Sequence, residues 1–596
     1  MTDSDHHDHE QRSLTLLYAT ETGTAQEVAD RIARHCRHAG FKCRIYNVED
    51  YPSEDIVDEH LIIFVIATAG TGKEPRTMTP LWSLLLRADL PHDLLEDLHY
   101  AVFGLGDSAY ERFCWPAKRL DRRLEALGAT SICERGEGDS QHELGTDGAL
   151  DPWITQLTRR LLELYPPSAG SSLEPIPQLW PARATLTKAT SEELTRTRDP
   201  LLDTPSYWGF MLEENKRITA PDWYQDVRHF EFATDADLEY EPGDVAVIHP
   251  EAPSDDVESV LQSQGWEGIA DDPLRVDHVH QDQQLPAYLP VTTTLRTILT
   301  RYVDITAVPK RSFFAVLRNF TSDDREREKM DEFITTKEGA EDLYEYTSKV
   351  RRTIVEVLEE FRNVKIPLAY VFDVFPPLRP REFSIASSVA RHPRKLQLCI
   401  AIVNYRTKLR RPRRGIATTY LSNLEPGSTL RIGIRKGLLA LPSDPSVPVI
   451  CVGPGTGIAP MRSLLETRIL DGSRNNTLYF GCRSANKDQH YAEEWKRYID
   501  EQSLTYRTAF SRDGDEGHRR VYVQNLVEED SKQVWEAIGK RDGWVYISGS
   551  SNKMPAAVRR ALAHAAHVEG GLDKHAATAY VNRMEREGRL YEECWS

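Results

Sequence analysis

The chain has 596 residues, too many for one hydrophobic core, and this length predicts about three or four domains. The formal net charge is −18, and residues 1–165 contribute −12 of it, with 17 Lys and Arg against 29 Asp and Glu. Such an acidic balance argues against a nucleic-acid partner. It leaves two interpretations of the acidic segment open: a face that docks on a basic protein, or a plain solvated surface.

Targeting and metal signals are absent from the sequence. No apolar run approaches the roughly 18 to 20 residues that a bilayer-spanning helix needs, so we expect no membrane association. The acidic, histidine-rich start, Met1 to Arg12, lacks the apolar stretch of a secretory signal and is interpreted as a polar tail. The eight cysteines include no C-x-x-C pair. We therefore predict no metal site, no disulfide framework and a cytoplasmic location.

Apolar strands alternate with helical stretches between Leu14 and Tyr165. The strands are expected at Leu14–Tyr18, Leu61–Ala67 and Tyr100–Gly104, with helices from Ala25 and from Trp115. Alternation of this kind predicts a parallel sheet covered by helices on both faces. Residues 1–165 are therefore predicted to form the first domain.

Loops with hydroxyl groups and glycines follow these strands. Their residues are Thr20, Glu21, Thr22, Gly23, Thr24 and Ala25; Ala67, Thr68, Ala69 and Gly70; and Leu105, Gly106, Asp107, Ser108, Ala109 and Tyr110. In an open parallel sheet such loops gather at one edge, where ligands bind. The first loop suits a phosphate at a helix start, and Tyr110 suits stacking on a flat ring. Taken singly, each loop is better explained as a plain turn, and Tyr110 as a half-buried loop aromatic.

Taken together, the three loops resemble those of flavodoxin. The resemblance implies that the first loop grips the phosphate of FMN and that the later loops enclose its ring system. It extends the expected FMN site to further residues: Glu111, Arg112, Phe113, Cys114 and Asp139. This chain carries Ala69 where related reductases often have an aromatic residue, and Asp139 alone of the usual acidic pair.

A segment rich in proline and serine, residues 166–204, is predicted to be a linker. Such a tether would let the first domain move between two docking positions. Short alternating strands begin at Tyr207 and predict a barrel over residues 205–442. A charged helical insertion, at about 272–376, is expected to interrupt the barrel.

Arginine and hydroxyl groups lie side by side on one predicted barrel strand, at Arg381, Glu382, Phe383 and Ser384. An arginine fork suits a pyrophosphate. A second anion-friendly turn follows at Gly415, Ile416, Ala417 and Thr418. Together these motifs resemble the FAD-binding barrel of ferredoxin-reductase-like flavoproteins, in which Phe383 is usually Tyr. That resemblance adds Arg351 to the expected pyrophosphate site. The basic run from Arg406 to Arg414 is either a solvated loop or a docking site for the acidic first domain.

A glycine-rich turn follows a buried strand near the C-terminus, in the run from Val449 to Pro460. Glycines let the backbone approach an anion, and the helix that we expect to begin near Ala459 offers free amides; Thr456 lies in this turn. Ser511, Arg512 and Arg520 are predicted near one strand edge, where they would suit the 2′-phosphate of NADPH. The expected site continues through Val521, Tyr522, Val523 and Gln524. Residues 443–596 are predicted to be a Rossmann-like NADPH-binding domain.

The three motif sets together resemble the diflavin reductases typified by microsomal NADPH-cytochrome reductase. The resemblance implies an α/β multidomain protein: a flavodoxin-like domain, an FAD-binding barrel with a helical connecting insertion, and an NADPH-binding domain. It also implies electron passage from NADPH to FAD, then to FMN, then outward one electron at a time. By the same resemblance Trp595 shields the FAD ring, and Ser384 and Glu593 assist hydride transfer.

Departures from the microsomal pattern indicate a branch within this family. Ser548-Gly549-Ser550 replaces a cysteine-containing motif, and Glu593 replaces an aspartate. Together with the runs from Gly104 to Ser108 and from Gln141 to Gly145 and with Met554-Pro555, these changes resemble the branch that serves cytosolic iron–sulfur protein assembly. That resemblance implies an anamorsin-type iron–sulfur partner. Two alternatives remain open: a reductase that serves a haem protein or a sulfite-type reductase, and a flavin-bearing scaffold without turnover.

Overall fold

The computed structural model describes residues 12–70, 72–110, 112–167, 175–280, 285–513, 520–551 and 553–595, with the backbone alone at 595. The chain divides into two compact units. The first unit comprises the chain up to residue 194 together with 259–294 and 307–377. The second comprises residues 195–258, 295–306 and 378–596.

The regular elements are numbered here in chain order. The strands are β1 Ser13–Ala19, β2 Lys42–Asn47, β3 Leu61–Ala67, β4 His99–Gly106, β5 Thr130–Ser131, β6 Gly136–Asp139, β7 Ala184–Lys188, β8 Tyr207–Arg217, β9 Val227–Ala233, β10 Val245–Ile248, β11 Pro273–His278, β12 Thr292–Thr294, β13 Arg381–Ser384, β14 Lys395–Ala401, β15 Asn404–Arg406, β16 Pro412–Arg414, β17 Thr429–Arg435, β18 Val449–Val452, β19 Asn476–Cys482, β20 Thr505–Phe510, β21 Trp544–Ser550 and β22 Leu590–Trp595. The helices are α1 Thr24–His38, α2 Thr79–Leu85, α3 Trp115–Ala126, α4 Asp147–Leu164, α5 Ser191–Arg196, α6 Ser254–Gln264, α7 Leu295–Thr297, α8 Arg311–Leu317, α9 Asp324–Thr335, α10 Lys337–Leu343, α11 Ile354–Glu360, α12 Val371–Val374, α13 Ile416–Asn423, α14 Ile458–Leu470, α15 Ala485–Asp488, α16 Ala492–Asp500, α17 Val523–Glu529, α18 Ser531–Trp535, α19 Met554–Val568 and α20 Lys574–Arg586.

The first unit contains the predicted parallel sheet, in the order β2-β1-β3-β4, with β5 and β6 both paired to β4. Helices cover both faces, so β1 and β3 are buried almost throughout. Ile32 of α1 and Leu157 of α4 belong to the apolar cluster on one face, and Leu81 of α2 and Leu120 of α3 to the cluster on the other. The strand order reverses direction between β1 and β3, which is where ligands bind in sheets of this type.

Two of the predicted segments contain more regular secondary structure than the sequence indicated. The interval 166–204, predicted as a linker, includes β7 and α5, and β7 pairs with β11 in a small antiparallel sheet. The interval predicted as a helical insertion begins with strands, because β11 also pairs with β12 before the helices α8 to α12. The alternation in β11 covers only six residues, which is too short to separate a strand from a loop by pattern.

Charged side chains join the flavodoxin-like sheet to the helices of the same unit. The carboxylate of Asp373, 3% exposed, accepts hydrogen bonds from the Arg34 guanidinium and from the Arg183 amide, the latter at 3.0 Å. Arg183 also pairs with Asp30, whose side chain is 7% exposed. Because each buried charge has an opposite partner, the cluster of Arg34, Asp373, Arg183 and Asp30 is stable only as a set.

The second unit begins with an antiparallel sheet in the order β13-β10-β17-β8-β9-β14. A single bridge between Ile385 and Leu398 brings its two edge strands together, so the sheet forms the expected near-barrel. A parallel sheet follows, in the order β20-β19-β18-β21-β22. The described residues contain no helix with the length and apolarity needed to span a membrane.

All eight cysteines are free thiols, six of them buried and two half-buried. Burial raises the pKa of the Cys114, Cys399 and Cys451 thiols to about 12 and that of Cys133 to about 11. These thiols therefore stay protonated at neutral pH.

Removing the Asp373 charge is expected to destabilise the first unit. In Asp373→Asn, Arg34 and Arg183 lose their shared buried counter-charge, and we expect a loss of about 3 kcal/mol, seen as a lower melting temperature. The matched control is Asp89→Asn, because the Arg87–Asp89 pair is solvent-exposed. Equal melting temperatures for the two variants would show that the buried cluster is not stabilising.

Candidate functional site

Loops of the first unit gather at the carboxyl edge of the parallel sheet, where β1, β3 and β4 end. Gly23 adopts φ 93° at the start of α1, a conformation that favours glycine, and its amide donates to Thr20 Oγ1 at 2.8 Å. Thr24 and Ala25 form the first turn of α1, whose amides have no acceptor within the helix. This loop therefore has the donor set of an anion site without a cationic side chain.

The second loop carries a buried hydroxyl group with no partner. Thr68 Oγ1 is inaccessible to solvent and makes no hydrogen bond to any described residue. In the third loop, the Tyr110 side chain is 55% exposed, although it is a large aromatic. An orphaned hydroxyl in one loop and an exposed ring in another fit a flat polar cofactor that would satisfy the one and cover the other.

The three loops contact one another. Glu21 Oε1 in the first loop accepts from the Arg76 amide beyond the second at 2.9 Å. Gly72 packs so tightly on Arg112 that a Cβ added there would lie 2.3 Å from Arg112 Cβ. Phe113 and the buried Cys114 pack beneath Gly106, while Glu111 lies outside the described residues.

Asp139 is linked to the third loop by hydrogen bonds. Its Oδ1 accepts hydrogen bonds from the Ser108 and Gln141 amides, each at 3.0 Å. Gln141 in turn donates to Asp107 Oδ2 at 2.9 Å, so two neighbouring loops are tied together. Burial raises the pKa of Asp139, but the hydrogen bonds from Ser108 and Gln141 outweigh it and hold the pKa below its ordinary value.

The predicted barrel motifs lie together in the second unit, with one exception. Arg381 and Phe383 are half-buried on β13, and Glu382 pairs with Arg435 on β17. Gly415 precedes α13, and its turn is fixed to the end of β14 because the Val403 amide donates to Thr418 Oγ1 at 3.1 Å. The free amides at the start of α13, Ile416 and Ala417 among them, are donors for a pyrophosphate.

Arg351 is the exception among the predicted barrel residues. It lies in the first unit, exposed, in a turn with a left-handed φ of 54°.

The glycine-rich turn lies between β18 and α14. Gly457 contacts the adjacent strand so closely that a Cβ there would lie 2.2 Å from the Ser548 carbonyl oxygen. Gly455 has φ 59° and open space beside it, and Thr456 lies between the two glycines. Only glycine at 457 lets the turn approach β21, whereas the space at Gly455 is left for a ligand.

Ser384 and Glu593 meet although 209 residues separate them. Ser384 Oγ donates to Glu593 Oε1 at 2.6 Å. Glu593 lies beside Ser548 in the parallel pairing of β22 with β21, and Ser548 Oγ is buried without a hydrogen-bond partner among the described residues. Trp595 is opposite Ser550 by its backbone, and its side chain lies outside the described part of the chain.

A buried ionic cluster fixes α14 against the barrel. Arg462 donates to the Ala386 carbonyl and to Gln397 Oε1, both at 2.7 Å, and pairs with Glu466 at 2.9 Å. Glu466 is fully buried and accepts from the Ser388 amide at 2.9 Å. Burial lowers the pKa of Arg462, but Glu494 and Glu466 raise it more, so it stays above its ordinary value.

The predicted phosphate residues lie at the carboxyl ends of β19 and β20. The Ser511 amide donates to the Cys482 carbonyl at 3.0 Å, and the Arg512 amide donates to the Arg483 carbonyl at 2.8 Å. Arg520, Val521 and Tyr522 are exposed and precede α17. Val523 is buried in the core of this sheet, and Gln524 is half-buried.

Sequence reasoning missed the Arg462 cluster and the side chain of Tyr224, which contacts Arg483. Arg462 and Glu466 are four residues apart in a mainly apolar helix, and this spacing was the available signal for a buried pair. Tyr224 lies in a loop of the barrel and carries no motif. Its position against the nucleotide-binding sheet emerges only from the tertiary structure.

Comparisons with known proteins match all three segments. Residues 16–153 match the flavodoxin family, 207–420 the FAD binding domain family and 451–560 the oxidoreductase NAD-binding domain family. The chain is 38% identical to NADPH-dependent diflavin oxidoreductase 1 of Cryptococcus neoformans, over 97% of this chain and 99% of the relative. It is 37% identical to the protein of that name in Xenopus laevis, over 98% and 100%, and 34% identical to that of Schizosaccharomyces pombe, over 98% and 99%.

Loss of Asp139 is expected to weaken FMN binding through the third loop. Asp139→Ala removes two hydrogen bonds, each worth about 1 kcal/mol, so the dissociation constant should rise about 30-fold. The measurement is FMN fluorescence during titration of the deflavinated protein. Asp139→Asn is the matched control, because its amide oxygen still accepts hydrogen bonds and should retain most of the affinity. Equal affinities for the alanine variant and the unaltered protein would contradict this role.

Proposed function

The chain belongs to the NADPH-dependent diflavin oxidoreductase family, and we propose that its electron acceptor is an anamorsin-type iron–sulfur protein of cytosolic iron–sulfur cluster assembly. Its cofactors are FMN, FAD and NADPH. When bound, the two flavins would supply the redox chemistry, which is acceptance of a hydride from NADPH and release of the two electrons one at a time. The choice of acceptor rests on the branch motifs, Ser548-Gly549-Ser550 and Glu593, and the cytosolic location rests on the eight free cysteines.

The Ser384–Glu593 hydrogen bond carries the catalytic part of the proposal. It joins the strand expected to hold the flavin ring, β13, to the C-terminal strand, β22, which pairs with the strand that Gly457 of the glycine turn contacts, β21. A carboxylate held here would stabilise the positive charge that develops as nicotinamide loses a hydride. Ser384 orients that carboxylate, and the buried Ser548 hydroxyl has no comparable contact.

The strand that carries Glu593 is anchored by an ion pair of the preceding residue. Glu592, the preceding residue, points to the opposite face of β22, where Arg559 donates to its Oε1 at 2.7 Å. Arg559 also bonds Glu585 at 2.8 Å. Trp595 continues the same strand, and we propose that its ring covers FAD until nicotinamide enters.

The other binding roles follow from the loops. We propose that the loop of Thr20 to Ala25 holds the FMN phosphate, with Thr68 and Tyr110 against the ring. Arg381 and the start of α13 would bind the FAD pyrophosphate, and Phe383 would stack on FAD. Thr456, Ser511 and Arg512 would bind NADPH.

The acceptor is tested by anaerobic stopped-flow absorbance with NADPH, the full-length holoprotein and a purified anamorsin-type iron–sulfur protein. Flavin and cluster absorbance are followed together, with a haem protein as the competing acceptor. We expect the cluster to bleach faster than the haem is reduced. Flavin reduction without cluster reduction would overturn the choice of acceptor and leave the reductase intact. If NADPH failed to bleach the flavins, a scaffold without turnover would be the better description.

Removing the charge of Glu593 is expected to slow FAD reduction. Glu593→Gln keeps the side-chain shape but loses the carboxylate, so the rate of flavin bleaching by NADPH should fall about tenfold, equal to about 1.4 kcal/mol. Single-turnover stopped-flow isolates this step from later electron transfer. Glu587→Gln, at an exposed position, is the surface control, and Ser548→Ala should have the smaller effect within the site. An unchanged rate in Glu593→Gln would remove Glu593 from the hydride step.

A further inference from the structure

A loop of the barrel carries an exposed aromatic residue against the nucleotide-binding sheet. The loop spans residues 218–226 between β8 and β9, and the side chain of Tyr224 is 61% exposed. The Arg483 guanidinium lies 4.9 Å from the Tyr224 ring centroid and that of Arg512 lies 5.9 Å from it. The guanidinium groups of Arg483 and Arg512, which follow different strands, therefore both contact the Tyr224 ring.

Hydrogen bonds within the loop, from the end of β8 and to a neighbouring segment hold the tip of this loop in place. Arg217 donates to the Trp223 carbonyl at 2.6 Å, and Thr219 Oγ1 donates to the Gln225 carbonyl at 2.8 Å. The Ala220 amide donates to the Lys487 carbonyl at 2.8 Å, which fixes the loop to the segment after β19. These contacts set the position of Tyr224 before any ligand binds.

Arg483 is held by the same loop, whereas no carboxylate of the described residues holds Arg512. Arg483 Nη1 donates to Gln225 Oε1 at 3.1 Å. Among the described residues, the Arg512 guanidinium contacts the Tyr224 ring and makes no hydrogen bond or ion pair. Burial and, after it, the neighbouring charge of Arg512 lower the pKa of Arg483. Two like charges on one ring create a field that a dianion would neutralise.

We propose that Tyr224 is a specificity-determining residue for NADPH, because its ring orients Arg483 and Arg512 toward the 2′-phosphate. Tyr224 thus belongs to the 2′-phosphoadenosine site, although it comes from the barrel and not from the nucleotide-binding sheet. The inference rests on the proposed placement of the 2′-phosphate at Ser511 and Arg512. It is independent of which protein accepts the electrons.

In this proposal the aromatic ring of Tyr224, and not its hydroxyl group, orients the two arginines. The variants are therefore chosen to remove the hydroxyl group and the ring separately. Tyr224→Phe keeps a π face for both guanidiniums and should bind 2′,5′-ADP as the unaltered holoprotein does. Tyr224→Leu keeps apolar bulk but has no π face, and we expect about fivefold weaker binding of 2′,5′-ADP. Binding of 5′-AMP, which lacks the 2′-phosphate, should change by less than about twofold in both.

Isothermal titration calorimetry with 2′,5′-ADP and 5′-AMP measures this difference on the full-length holoprotein. The ratio of kcat/KM for NADPH to that for NADH is the second readout and should fall in parallel. Tyr344→Leu is the matched control, because that tyrosine is 58% exposed on the other unit. FAD content and melting temperature establish that each variant is folded. If Tyr224→Leu does not fold, Arg483→Ala tests the same arrangement and should weaken 2′,5′-ADP binding selectively.

Three results would overturn the inference, and they differ in meaning. If Arg512→Ala lowers 2′,5′-ADP affinity while Tyr224→Leu does not, the 2′-phosphate lies where we place it and Tyr224 has no part in it. If Arg512→Ala also leaves the affinity unchanged, the placement of the 2′-phosphate itself fails. Equal weakening of 2′,5′-ADP and 5′-AMP in Tyr224→Leu would assign the ring a purely structural role.

Discussion

The buried ion pair between Arg462 and Glu466 is the interaction on which the geometry of the second unit depends. Helix α14 begins at the glycine turn, and four residues further along it Arg462 binds the barrel carbonyl of Ala386. Ala386 is two residues beyond Ser384, so one helix joins the turn expected to face NADPH to the strand expected to face FAD. A charge pair that is this buried is costly to separate, and the spacing of the two sites is correspondingly rigid. Hydride transfer requires that rigidity, since small misplacements slow it strongly.

The flavodoxin-like sheet of the first unit is joined to the helices of that unit in a different way. Besides the buried carboxylate of Asp373, the unit has ion pairs that remain about half-exposed, such as Lys310–Glu27 and Lys337–Glu143. Exposed pairs of this kind contribute about 0 to 1 kcal/mol each and are screened by salt. The flavodoxin-like sheet is thus attached to its neighbouring helices by one strong cluster and several weak links. Attachment of that kind is compatible with the tether predicted after residue 165, because few bonds would need to break for the sheet to detach.

Local patterns predicted most of the fold, and long-range contacts account for what they missed. The loops at Thr20 and Thr456 follow strands whose apolar runs are continuous, so their positions at sheet edges followed from topology. The pairing of Ser384 with Glu593 was expected from resemblance alone. Tyr224 and Asp373 carry no local signal of their roles, since each depends on a partner that folding brings close from a distant part of the chain. The spacing of Arg462 and Glu466 is a local signal for a buried pair, but the contact of Arg462 with Ala386 of the barrel is not. β7 was missed because five residues with weak alternation do not separate a strand from a linker.

The buried cysteines have a consequence for an enzyme that handles electrons in air. Reduced flavins react with dioxygen, so a protein of this kind works beside its own source of superoxide and peroxide. Peroxide attacks the thiolate form of cysteine and spares the thiol. With the pKa values of Cys114, Cys133, Cys399 and Cys451 raised to about 11 or 12, the fraction ionised at neutral pH is negligible. The same burial that fills the cores therefore protects these sulfurs from the by-products of the enzyme's own turnover.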